Sequence, residues 1–350
     1  MRHAWQGAIW AGVAAIGGAG ATPALAGRFG PLERTWISRD AIWLVHLDME
    51  AGGRSVFRRL MDSVSGRETV IATARAELGL DPSTDIKGVT IYGTGAIGEP
   101  VTVLLSTTTA VDGLAAHVDK LQRRVERFEV GSRPAFSFDE DDARRYCSVI
   151  KTADDSRLVV LSDSRTGLER AVGVLDAADR SLAQAGSGAT VESPTAGSVV
   201  FVAVGDTRAA FGDPAMNSVM LRTATAVCMD MGEREGQVYG RVAAMMESPE
   251  AATSSVQMAQ GMLAMARLAM GTERDSPAHA ASAMLNAVRI GAIGSLLTAE
   301  FSLPVESLYE AAAPLARRLR VSLVPDEATP GRRSLRVDHV LEANPSEREK

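Results

Sequence analysis

Cysteine is almost missing from this chain: 350 residues hold only Cys147 and Cys228. A disulfide framework therefore cannot carry the fold, and a hydrophobic core must. Both cysteines sit in strand-like apolar stretches, residues 146–149 and 226–229, where buried free thiols are common. Sequence spacing leaves open whether they pair. Lysine is scarce as well, with Lys87, Lys120, Lys151 and Lys350 the only four among 37 basic residues. Against 43 acidic residues the net charge is −6, which argues against the basic stripe that nucleic-acid binding requires, and no nucleic acid is expected as a partner. Five histidines (His3, His46, His117, His279, His339) show no H-x-x-x-H pair and no Cys/His pair at ligand spacing, so no metal site and no cofactor are expected. The motifs G-x-S-x-G and G-x-x-x-x-G-K-[ST] are absent too.

At 46% hydrophobic and 23% charged residues, what is present is the composition of a folded protein. Residues 1–26 run from Arg2 through a small-residue apolar stretch to Thr22-Pro23-Ala24-Leu25-Ala26, the order of a secretory signal peptide cleaved after Ala26. The alternative is an uncleaved anchor. No cysteine follows the site, no twin-arginine motif precedes it, and no later apolar run is long enough to span a bilayer. A periplasmic or secreted protein is expected, with no integral membrane segment after cleavage.

Along the chain, Trp43, Val45, Leu47 and Met49 alternate with Leu44, His46 and Asp48, a period-2 strand. Helical stretches follow at 53–62 and 66–78, the second opened by a Ser65/Glu68 capping box. Hairpins are expected at 89–92 with 101–105 and at 145–150 with 158–161, and helices at 109–124 and 166–175. Residues 183–197 are small, polar and aperiodic, and read as a linker. Beyond it come a strand apolar on both faces (199–204), a short helix after Asp213-Pro214, a hairpin (225–231 with 237–246) and a long helix from Ser248 to Met270. A short helix (278–287), two strands (288–290, 296–301) and a helix (305–319) follow. Both halves spell β-α-β-β-α-β-β-α, so the expected fold is α+β: two tandem units, residues 27–182 and 198–331, with helices on one face of antiparallel sheets. Residues 332–350 read as a charged, fraying tail.

The stretch Leu80-Asp81-Pro82 with Asp85-Ile86-Lys87-Gly88-Val89-Thr90-Ile91-Tyr92-Gly93, and the later Leu303-Pro304-Val305-Glu306-Ser307-Leu308, resemble segments of uncharacterised exported proteins of planctomycete-type bacteria. The resemblance implies export and a duplicated α+β build. It lends no catalytic residue.

Four features invite chemistry. Gly93-Thr94-Gly95-Ala96-Ile97-Gly98 matches G-x-G-x-x-G but runs into a strand, so a hairpin connection is expected in place of a dinucleotide loop. His46 and Asp48 share a strand face and are the candidate proton-transfer pair. The acidic run Asp139-Glu140-Asp141-Asp142 lacks the turn glycine and distant glutamate of a calcium loop, and reads as a solvated connection. Eleven of 14 methionines fall between Met216 and Met284; Met258, Met262 and Met265 recur at helical spacing. They are expected to pack on the hairpin bearing Val238, Val242, Ala244 and Met246, with ligand binding as the alternative and Cu(I) a further one. The expected function is a non-enzymatic envelope protein with a structural, assembly or protein-interaction role and an envelope protein as partner. A periplasmic binding protein for a small apolar or peptide ligand held between the domains comes second, and a carboxylate-dependent hydrolase third. The sequence leaves the oligomeric state open.

Overall fold

A computed structural model describes residues 30–64, 68, 71–72, 75–76, 79–120, 124–140, 143–152, 155–184, 193–212, 222–269, 285–317, 319–325 and 333–339. The signal segment, the Ser65/Glu68 capping box as a pair, and the helices expected after Pro214 and before Leu285 lie outside or mostly outside these residues.

Seven strands come from the first region: β1 (Trp43–Asp48), β2 (Ile86–Gly93), β3 (Val101–Thr107), β4 (Glu126–Val130), β5 (Arg133–Glu140), β6 (Ala143–Lys151) and β7 (Arg157–Ser162). Five come from the second: β8 (Ser198–Val204), β9 (Ala224–Arg234), β10 (Gln237–Met246), β11 (Arg289–Ile293) and β12 (Leu296–Pro304). All twelve join one sheet in the order β11-β12-β10-β9-β8-β1-β2-β3-β7-β6-β5-β4. Each strand pair is antiparallel, and the first strands of the two regions lie side by side, with Val45 opposite Val202 and His46 opposite Phe201.

The described helices are α1 (Met49–Gly52), α2 (Val56–Asp62), α3 (Pro82–Asp85), α4 (Leu114–Lys120), α5 (Arg165–Leu175), α6 (Thr207–Phe211), α7 (Pro249–Ala269) and α8 (Val305–Arg317). Side-chain caps start several of them: Ser164 Oγ accepts from Gly167 N at 3.0 Å, Asp206 Oδ1 from Ala209 N at 2.9 Å, and Ser248 Oγ from Ala251 N at 3.1 Å.

In the first region helices cover both faces of the sheet, not the single face expected. The strands demand it, because they are apolar on both sides. Val103, Leu105, Val159 and Leu161 pack with Leu114 and Val118 of α4, while Leu104, Leu158 and Val160 pack with Leu168, Ala171 and Val172 of α5. Over β10 and β12, α7 and α8 lie on one side: Ala244 and Leu297 meet Ala252, and Val238 meets Leu308. The opposite face there carries a charged row, with Arg241 set between Asp230 and Glu300, and Glu300 beside Arg289.

The order of elements in the second region is β-α-β-β-α-β-β-α, whereas the first carries one additional hairpin, β4–β5. The charged tail also differs from expectation, since β14 (Arg333–His339) pairs with β13 (Leu319–Pro325) in a separate two-stranded sheet. Leu335 and Val337 alternate with Ser334 and Arg336, a strand pattern that the surrounding charge conceals.

Candidate functional site

His46 lies on the same side of β1 as Leu44 and Asp48, and it is only 4% exposed. Its Nε2 is 2.9 Å from the Gly30 carbonyl oxygen, which can only accept, so Nε2 carries the proton. Nδ1 then accepts from the Thr90 hydroxyl at 2.8 Å. Burial holds the imidazole pKa down to about 4, with the Gly30 bond opposing. Asp48 Oδ1 accepts from Ala51 N at 2.8 Å and caps α1. Burial pushes its carboxyl up to about 6, against the pull of the Ala51 N–H.

Gly30 joins the two side chains. Its carbonyl is bound by His46, and a Cβ there would sit 2.1 Å from Asp48 Oδ1, so a larger residue would have to push the Asp48 carboxylate from its place on α1. The pair proposed from sequence is thus brought together, but as a clamp on an incoming segment. Both ring nitrogens of His46 are occupied, and among the described residues no three His, Cys, Asp or Glu side chains gather as metal ligands would.

The glycine-rich loop joins β2 to β3 as a hairpin. Trp43 Nε1 donates to the Gly95 carbonyl at 3.0 Å and its indole lies over Gly93, where a Cβ would come within 2.6 Å of the ring. Asp139 and Glu140 belong to β5, and so are not the solvated loop expected. Arg144 donates to Asp139 at 2.8 Å and Arg145 to Glu140 at 3.1 Å, which neutralises them across the hairpin. Asp141 and Asp142 lie outside the described residues.

Neither cysteine is in a disulfide, and the two are buried in different clusters, Cys147 beneath α4 and Cys228 on the opposite sheet face. Six strand spacings separate β6 from β9, roughly 29 Å at ~4.8 Å each, far beyond bonding reach. Burial pushes the Cys147 thiol well above its ordinary range, which suits an inert core residue.

The methionines depart most from expectation. Helix α7 turns small residues inward: Ala252 and Ser255 are buried and Val256, Ala259, Leu263 and Ala266 partly so, a stripe at helical spacing. Met258, Met262 and Met265 flank that stripe and are 38%, 54% and 71% exposed, followed by Leu268 at 83%. Ile293, at the end of the β11 strand against which α7 packs, is 86% exposed. Val242 was expected beneath the methionines; it and its cross-strand partner Met229 are also uncovered, on the sheet face between α7 and α8. Small residues win the inward position because they let the helix approach the sheet closely, and the methionines are left as a soft apolar flank.

Among the described residues no helix is long and apolar enough to cross a membrane. No protein family and no curated protein matches the sequence. Three crystal forms of the treponemal protein TP0453 are similar in structure. Form I has a TM-score of 0.37 at 9% identity, covering 81% of this chain and 98% of that one. Form III has a TM-score of 0.39 and form IV 0.41, each at 10% identity; both cover 81% of this chain, and 98% and 97% of the other.

Proposed function

We propose that this chain is an exported, non-enzymatic envelope protein, periplasmic or secreted, that docks a protein partner on the methionine flank of α7. The observation that carries this is the run Met258, Met262, Met265 and Leu268, increasingly exposed along one helix. Contiguous apolar side chains in water are costly to solubility, and thioether chains adapt to varied partner shapes. In this reading residues 1–26 direct export.

Residues 27–182 and 198–331 act as two tandem units of one α+β plan. Their order of elements, common to both apart from the β4–β5 hairpin, the antiparallel pairing of β1 with β8, and a reciprocal exchange of helices support the duplication. Val56 of α2 packs with Val238 and Leu308 of the second unit, and Ala210 of α6 packs in the core of the first. Because β1 and β8 are hydrogen-bonded along their length, the flank on α7 is a better docking place than the junction of the units. A second reading, a small apolar or peptide ligand, draws on the uncovered Val242 and Met229 between α7 and α8.

Placing a photo-crosslinking residue at position 262, with position 234 in the exposed β9–β10 turn as control, separates these readings in the native envelope. A discrete protein adduct from 262 alone, lost when Met258 and Met265 become glutamate, supports docking. An adduct of small-molecule mass supports the second reading, and identical labelling at 262 and 234 sinks both.

A further inference from the structure

Three arginines line a cleft that plays no part in either reading above. It holds about 340 Å³ and is lined chiefly by Ser38, Arg39, Asp40, Arg170, Asp179 and Arg180. Its walls are fixed before any ligand arrives. Arg39 N donates to Arg180 O at 3.1 Å, Leu182 N donates to Ile37 O at 2.7 Å, and Ser38 bridges Ser181. Arg170, on α5, lines the cleft and donates to Thr94 Oγ1 at 3.2 Å.

The carboxylates present leave this positive charge largely unsatisfied. Asp40 stands 3.7 Å from Arg39, with both side chains open to water. Among the described residues, neither Arg170 nor Arg180 forms an ion pair with a carboxylate. Three arginines against Asp40 and Asp179 leave the cleft one positive charge in excess.

We propose that this cleft binds a singly charged phosphodiester group. Guanidinium forks match phosphate oxygens in pairs, and like charges held together by the backbone are relieved by an anion between them. The single excess charge matches a diester better than a doubly charged monoester, which the two rim carboxylates repel. The volume lies at the lower end of small-molecule sites, room for a headgroup or a small soluble diester. The preformed walls reduce the ordering cost of binding.

The test uses the mature chain with dimethyl phosphate as the soluble probe, and vesicles of phosphatidylcholine with or without phosphatidylglycerol as the lipid probe. Saturable one-to-one binding of dimethyl phosphate is expected, about tenfold weaker in the Arg170→Gln/Arg180→Gln double variant and unchanged in Arg54→Gln. Added arginine-dependent sedimentation with phosphatidylglycerol vesicles identifies a lipid headgroup as the source; binding of the soluble probe alone identifies a free diester. Both arms failing to saturate, or a double variant that binds like the parent while keeping its thermal midpoint, overturns the proposal. Substituting the methionine flank leaves this binding intact, so the two proposals fail separately.

Discussion

Strands β3 and β7 are sealed between α4 and α5, whereas β10 and β12 are covered by α7 and α8 on one side and carry charged residues on the other. The sealed strands have apolar side chains at every position that matters, as in Val159, Val160 and Leu161, each 5% exposed or less. In the half-open strands Val242 is 37% exposed on the helix side, and the opposite face carries Arg241 and Glu300. The same antiparallel sheet thus serves two ends. One region spends its apolar surface on stability, and the other leaves part of it free for contact.

Core truncation should divide the regions most sharply. Phe138→Ala, at a side chain 2% exposed, should cost about 3–5 kcal/mol in urea unfolding, and Val242→Ala less than about 1 kcal/mol. Equal costs would erase the contrast.

The Gly30 clamp sits where the regions meet and gives the next largest effect. His46 titrates near 6.5 unfolded and about 4 folded, so the unfolded chain takes the proton first and stability falls as pH drops from 6.5 to 4. Asp48 rises from 3.8 to about 6, so the folded chain takes that proton first and stability is gained over nearly the same window. At ~1.36 kcal/mol per pH unit each amounts to about 3 kcal/mol, with opposite sign. The parent should therefore be nearly flat between pH 6 and 4. His46→Gln should grow more stable on acidification and Asp48→Asn less stable, as measured by denaturant midpoints; parallel slopes would contradict the assignment.

Smaller effects follow at the helices. Ser164→Ala removes the cap of α5 and should cost about 1 kcal/mol by thermal unfolding. Replacing Met258 and Met265 with glutamine should change stability by less than about 0.5 kcal/mol each, because little packing is lost, while abolishing the adduct at position 262.

Most strands were legible because their period is local. Residues 199–204, apolar on both faces, became β8 beside β1 at the centre of the sheet, and both expected hairpins of the first region formed. The β4–β5 hairpin was missed because Glu126, Arg127, Glu129 and Pro134 mask its apolar positions at a sheet edge, where such residues are tolerated. Helix α7 was placed correctly and oriented wrongly. Its methionine and alanine stripes have the same helical period, and only the spacing to the sheet selects between them. The role of His46 was hidden because its partner Gly30 is 16 residues away and carries no side-chain signal. The arginine cleft was hidden likewise, since Arg39 is brought to Arg170 and Arg180 by backbone contacts between residues 37–39 and 180–182, far apart in sequence.

Methionine oxidation tests the central claim most directly. Brief peroxide treatment of the purified protein, read by peptide mass spectrometry, should oxidise Met262 and Met265 rapidly and leave Met246, at 3% exposure, protected. In the intact envelope the two flank methionines should become protected as well. Flank methionines as slow as Met246 in the purified protein, or equally fast in both settings, would contradict an open flank that a partner covers.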